Sequence, residues 1–347
     1  MEKSIKKKGF TMKNLAKIST DSNKFMTIPD FIPEYEINDN TFILNYKKLL
    51  ERYLSHGEPS PDTLRNYYSA IDNYLQWCRY NKRHPLKITE YEFTYYRDML
   101  VQLKMKKGSI KSKLNAVRQF YNVAVKLKLL AENPTDGIGV KAYEPNDISP
   151  LKFLQAAQLE HLLNVITDDG KNVENIRDKA MIMLMALEGL RTVEVYRMSV
   201  ADVDWQVKTI YIHGKGHNDF IYPRHDVMTY LKQYIKLRYA DKQKKDPYGE
   251  PVFTALGNRN KGGRMNRRSI RRSIDKWLEI AGFKKAGISC HMLRHTCGTL
   301  LYSTTKDLQI VKQVLRHSDI NITSKYAHVF SQMDNRYTSD IRLNNNI

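Results

Sequence analysis

Apolar residues recur with a helical period along most of this chain and alternate like a strand in only one stretch. From about residue 40 to 130 the spacing is helical throughout. Ser60-Pro61-Asp62 marks a helix start, with proline tolerated in the first turn. Behind it Tyr67, Ile71, Tyr74, Leu75 and Cys78 fall on one face. Thr89 is placed to cap a third helix running through Leu103, and Ser109 to cap a fourth. In that fourth helix Leu114, Val117, Tyr121, Ala124 and Val125 face inward, while Lys111, Lys113, Arg118 and Lys126 project elsewhere. The pattern predicts a bundle of about four helices with basic faces, ended by Asn133-Pro134-Thr135-Asp136-Gly137.

Gly139, Pro145, Asn146, Asp147 and Pro150 make residues 139–154 read as a linker. Beyond it, helical segments are predicted at about 155–166, 174–188, 226–240, 266–281, 291–303 and 307–316, with a short one over 322–329. The strand pair lies at 209–212 and 220–222, around His213-Gly214-Lys215-Gly216-His217-Asn218-Asp219, whose Gly, Asn and Asp favour a hairpin loop. The predicted class is mainly α: an N-terminal helical bundle over 36–138 and a C-terminal, mainly helical domain with a small antiparallel sheet over 155–347. Residues 1–35 carry six lysines in the first seventeen positions and read as a basic arm, with one short helical pattern over 12–18.

Charge changes the picture. Across 347 residues, 57 Lys and Arg outweigh 37 Asp and Glu, a net charge of +20. Such a surplus makes a polyanion the default partner, nucleic acid before a membrane surface. A basic surface kept only for solubility is the competing account, but acidic charge serves that purpose better. The apolar run 180–187 is too short to span a bilayer and reads as a buried helix. The basic start is followed by no apolar stretch, so no signal peptide is expected. Three cysteines (Cys78, Cys290 and Cys297) cannot all pair, and a reducing cytoplasm is the expected location.

Five features of the second domain could carry chemistry. Arg191 follows the bend implied by Gly189, and Glu194 lies one helical turn on; spacing alone favours a surface ion pair. Lys215 sits between glycines, which let an ammonium approach a phosphate, though a solvated turn gives the same pattern. His291 and Arg294 share a helix face with Leu293 turned toward the core, an imidazole beside a guanidinium. A metal reading of Cys290, His291, His295 and Cys297 is disfavoured: Arg294 lies among them, no second cysteine pair exists, and His291–His295 lacks the glutamate of a zinc-protease helix. His317 ends an amphipathic segment, where a dipole-stabilised surface group is the commoner case. Tyr326 follows nine residues later, and a tyrosine taken alone is more often packing than chemistry.

Order and spacing make the set specific. Arg, a lysine on a β-turn, His-x-x-Arg, His, and Tyr nine residues later resembles the tyrosine recombinase (phage integrase) family, Xer-like and transposon integrases included, over about residues 40 to 330. The resemblance implies a DNA-binding helical core-binding domain followed by a catalytic domain. It also implies catalytic roles for Arg191, Lys215, His291, Arg294, His317 and the nucleophile Tyr326, with Glu194 orienting Arg191. Three positions depart from the family pattern: Arg316 stands where Gly is usual, Glu188 where Thr is usual, and Phe220 where a further basic residue is usual.

The implied activity is site-specific recombination of double-stranded DNA through a 3′-phosphotyrosine intermediate, without ATP, metal or other cofactor. Two guanidiniums suit the oxygens of an anionic phosphodiester, His317 adds a hydrogen bond, His291 is the expected proton acceptor, and Lys215 is placed to protonate the leaving 5′-oxygen. Two domains joined by a linker suggest a clamp on the duplex. The resemblance further implies a homo-tetramer in the synapse, a C-terminal tail docked on a neighbour, a mobile-element setting and accessory or directionality factors. A type IB topoisomerase-like relaxation and a non-catalytic DNA-binding regulator derived from a recombinase are the alternatives.

Overall fold

The computed structural model describes residues 32–54, 59–140, 151–167, 170–214, 218–241, 243–317 and 320–333. The basic arm with its 12–18 helical pattern, most of the linker, Lys215 and the tail beyond 333 lie outside the described residues. The chain divides into two compact units, Met1–Ile148 and Ser149–Ile347.

The first unit holds four α-helices among its described residues: α1 (Asp39–Tyr53), α2 (Pro61–Tyr80), α3 (Glu90–Gln102) and α4 (Lys107–Lys126). Local chemistry explains their starts. Asn38 and Ser60 accept backbone N–H bonds from Thr41 and Thr63 at 3.0 and 3.2 Å, and Pro61 occupies the first turn of α2. Thr89 and Glu92 form a reciprocal capping box at α3. The expected Ser109 cap does not form. Helix α4 starts at Lys107 because the Ile110 N–H bonds to the Lys106 carbonyl at 3.1 Å, and Ile110 is fully packed; burial of that side chain overrides a cap three residues later.

The core of this unit is aromatic, with Phe42, Tyr46, Tyr74, Phe93, Tyr96, Phe120 and Tyr121 all buried. The Tyr74 and Tyr121 hydroxyls meet at 2.5 Å, and Tyr121 also donates to the Pro85 carbonyl at 2.6 Å. Val123 is buried where Val125, expected inside, is half-exposed. Arg118 does not join a basic face: it donates to the carbonyls of Thr135 and Ile138 at 3.1 and 2.7 Å, tying down the segment after the bundle.

In the second unit the order is α5 (Ala156–Val165), α6 (Val173–Ala186), α7 (Thr192–Arg197), β1 (Val203–Asp204), β2 (Thr209–His213), β3 (Asn218–Ile221), α8 (His225–Leu237), α9 (Arg267–Ile280), α10 (His291–Thr305), α11 (Leu308–Leu315) and α12 (Asn321–Met333). The strands form one antiparallel sheet in the order β1-β2-β3, with Ile210 opposite Ile221 and His213 opposite Asn218. The second strand of the pair therefore runs 218–221 rather than 220–222. The short α7 and β1 escape a periodicity search because neither is long enough to show a period. Helix α6 is buried from Ala180 to Ala186, packs against α8 and α10, and forms the centre of the core. Among the described residues no helix is long and apolar enough to cross a membrane. The architecture is mainly helical with one small antiparallel sheet, as the pattern predicts.

Candidate active site

The ends of several elements of the second unit meet around one pocket of about 370 Å³. The first is the turn after α6. Gly189 has φ +66, and a Cβ there would stand 2.5 Å from Leu315 Cδ2, so both the left-handed bend and the close approach of α11 need glycine. That bend makes Arg191 the N-cap of α7. Its backbone N–H donates to Glu194 Oε2 at 2.8 Å, its Nη1 to Glu194 Oε1 at 2.7 Å, and its Nη2 to the Arg316 carbonyl at 3.2 Å. Glu194 is only 2% exposed, so this is no surface ion pair.

Helix α10 contributes three side chains. Arg294 is buried, and its guanidinium donates to the carbonyls of Gly189 and Leu315, joining the α6 turn to the end of α11. Leu293 faces the core, as its spacing implies. His291 and His295 lie on the pocket side with ring centroids 4.5 Å apart. His317, just past α11, is 9% exposed and its Nδ1 pairs with Thr323 Oγ1 at 2.9 Å; it is a buried member of the site rather than a surface group at a helix end.

Tyr326 on α12 is fully buried, parallel to the His317 ring at 6.3 Å, with its hydroxyl 3.2 Å from His295 Nδ1. Arg191, His291, Arg294, His317 and Tyr326 thus line the same pocket. Lys215 falls outside the described residues, but Gly214 and Asp219, on either side of it in sequence, line the pocket too.

Burial sets the electrostatics. It would raise the Glu194 carboxyl, but Arg316, then Arg191 and Arg294, outweigh it and hold the group below its usual range. Burial, then Arg191, pushes Arg294 down to about 10, still a cation at neutral pH. Burial raises the Tyr326 phenol well above its ordinary value against the pull of Arg294. The imidazoles move the other way: burial, then neighbouring cations, lowers His291 to about 4 and both His295 and His317 to about 3.

These histidines are therefore neutral when folded and protonate near 6.5 when unfolded. The unfolded chain binds more protons below that value, so the stability they carry is complete above about pH 6.5 and drains away as pH falls toward about 3. The thermal midpoint of the native chain is expected to fall with acid more steeply than that of His295→Gln; parallel curves would contradict this.

Sequence spacing missed several participants. His295, weighed only as a metal ligand, is the side chain that touches the Tyr326 hydroxyl. Lys325 lines the pocket, and Arg316 turns inward onto Glu194. Among the described residues no group of three His, Cys, Asp or Glu could hold a metal; the Cys290 thiol meets Thr192 Oγ1 and the Cys297 thiol the Leu187 carbonyl. Of the other family departures, Glu188 accepts the Arg224 N–H at 2.9 Å at the start of α8, and Phe220 is exposed beside Tyr211.

Gly298 carries the one signal that was available and unread. A Cβ there would lie 2.5 Å from Tyr326 Cζ and 2.8 Å from Leu315 Cδ1. Gly298→Ala is expected to overpack this seam by about 1–3 kcal/mol. Calorimetry would measure the loss, and an unchanged melting curve would show that the Tyr326 helix gives way freely.

Tyrosine recombinase XerC of Bacillus subtilis is 28% identical over 304 residues, covering 84% of this chain and 94% of that relative. Tyrosine recombinase XerC of Haemophilus ducreyi is 31% identical over 222 residues, covering 64% of this chain and 68% of the relative. The fold is similar to that of the XerH site-specific recombinase crystallised with its palindromic difH substrate in a post-cleavage complex, with TM-score 0.65 at 18% identity over 80% of this chain and 79% of that one. Residues 47–130 match the phage integrase N-terminal SAM-like domain, and residues 152–333, more than half of the sequence, match the phage integrase family. The chain belongs to the phage integrase family.

Proposed function

We propose that this chain is a site-specific DNA recombinase that cleaves and rejoins strands through Tyr326. The observation that carries the reading is a tyrosine seated in one pocket with three arginines and three histidines. In the cleavage step the Tyr326 oxygen bonds to phosphorus while the bond from phosphorus to the 5′-oxygen breaks, leaving a 3′-phosphotyrosine and a 5′-hydroxyl. The ester energy is retained, so a hydroxyl from another strand can reseal the backbone without ATP.

Arg191 and Arg294 meet the charge that develops on the nonbridging oxygens, and His317 adds a donor. Lys215, from the hairpin loop, protonates the leaving oxygen. The phenol proton passes to the imidazole pair: His295 is in contact with the hydroxyl and His291 lies beside it. Both imidazoles are lowered partly by Arg294 and Lys325, and a phosphate anion placed among these cations relieves that effect, making them better acceptors once DNA is bound. Glu194 holds Arg191 in place.

We assign residues 36–138 to DNA binding and 155–347 to catalysis, in the cytoplasm, with assembly as a homo-tetramer on two recombination sites. Most of the affinity comes from phosphate contacts and weakens steeply with salt. The decisive experiment offers the native chain a randomised pool of nicked duplexes and recovers protein–DNA adducts. Adducts are expected, and they are expected to form in EDTA, because the cations are the protein's own side chains. No adduct, or a strict need for a divalent ion, would overturn the reading. Exchange between two labelled duplexes carrying the recovered site separates recombination from topoisomerase-like relaxation.

A further inference from the structure

Among the described residues, six other than glycine adopt the left-handed backbone conformation: Lys82, Lys104, Lys128, Lys208, Lys306 and Arg316. The five lysines are all exposed and close helices or turns with their side chains toward solvent. Arg316 does the opposite. It ends α11 at φ 52 and ψ 50, yet its side chain is 5% exposed and lines the pocket. Glycine fills such a position without steric cost, whereas a Cβ there costs roughly 1–2 kcal/mol. A strained conformation that carries a buried guanidinium into a pocket calls for a role.

The hydrogen bonds narrow that role. Arg264, another buried arginine, engages all its nitrogens: Nε with Asp246, Nη1 with the Tyr196 and Met198 carbonyls, Nη2 with Ser199 and the Gly249 carbonyl. That side chain is structural. Arg316 uses Nη1 on the Val314 carbonyl at 2.9 Å and Nη2 on Glu194 at 3.0 Å and on the Gly189 carbonyl at 3.5 Å, but its buried Nε has no partner among the described residues. A buried charged donor without an acceptor is costly, and an anionic oxygen brought against it would satisfy it. Glu194 already binds Arg191 at 2.7 Å, so the carboxylate cannot neutralise both arginines and Arg294 besides. The pocket keeps excess positive charge.

We propose that Arg316 is a third phosphate-binding guanidinium, donating to a nonbridging oxygen of the phosphodiester that Tyr326 attacks. The inference rests on the recombinase reading and deepens it: a site with three guanidiniums holds the scissile phosphate more strongly than the two of the usual pattern.

The test uses the full-length chain and a nicked duplex recovered from the randomised pool, made twice, once with an ordinary scissile phosphate and once with a methylphosphonate that lacks its negative charge. Arg316→Gly suits the backbone conformation, and Arg316→Asn is the second variant, since asparagine also tolerates it; melting curves check that both fold. On the ordinary phosphate, adduct formation by either variant is expected to slow by about 10²-fold. On the methylphosphonate the deficit relative to the native chain is expected to shrink to about tenfold or less, because the charge that Arg316 meets is gone. No deficit on the ordinary phosphate, or an equal deficit on both, would overturn the proposal and leave Arg316 a structural partner of Glu194. A native chain that forms no adduct defeats the recombinase reading itself, which is a separate result.

Discussion

A Tyr326→Phe chain is expected to fold, to bind the recovered duplex as tightly as the native chain, and to yield no covalent complex. The phenyl ring is retained, so packing on the Gly298 face of α10 and the parallel contact with His317 survive. Among the described residues, the bond lost is the 3.2 Å contact from the hydroxyl to His295 Nδ1. A single neutral hydrogen bond contributes about 0.5–1.5 kcal/mol, and removing a buried hydroxyl also removes its desolvation cost, so the melting temperature should hardly move. The chemistry has no such tolerance. Without the oxygen no bond to phosphorus forms, and neither imidazole nor guanidinium can substitute for a nucleophile. Gel-shift titration and a denaturing gel on one sample separate the two effects. Adducts formed by the phenylalanine chain would mean that another side chain attacks.

The second large effect concerns stability. Glu194→Ala removes the carboxylate that faces three guanidiniums, Arg191 at 2.7 Å, Arg316 at 3.0 Å and Arg294 at 3.9 Å. Arg294 and Arg316 are almost wholly buried, at 2% and 5% side-chain exposure, so water cannot take over from the carboxylate. Breaking a buried pair by deleting one partner typically costs 3–5 kcal/mol, because the remaining charge is left uncompensated, and about that much is expected here. For a unit of this size each kcal/mol is worth roughly 2–4 °C, which puts the expected drop on the order of 10 °C. Glu194→Gln keeps an acceptor but loses the charge, and it should fall between the two. Calorimetry on the three chains checks the order. A Glu194→Ala chain that melts with the native one would show that the arginines repel each other too weakly to need an anion.

The helices were legible because their causes are local. Ser60-Pro61 and Thr89 with Glu92 act within one turn, and the period of Ile71, Tyr74 and Cys78 declares its buried face over two turns. Where local signals competed with packing, packing won: Ser109 lost to Ile110, and Val125 yielded the inner position to Val123. The two-residue β1 and six-residue α7 left no period to read.

The residue types of the site and their order along the chain were also plain in the sequence, and they sufficed to mark the family. Their physical meaning was not. Glu194 five residues from a bend looks like a surface group until α10 and α11 close over it, and Arg316 looks like a helix-end cation until its side chain is seen to turn inward. Arg191 meets the Arg316 carbonyl across 125 positions, and His295 meets Tyr326 across 31. Periodicity and capping operate over a few residues and so determined where helices begin, which faces are apolar and which chemical groups the chain carries. Burial, side-chain direction and pairing depend on elements brought together from distant positions, and only the tertiary packing decided them.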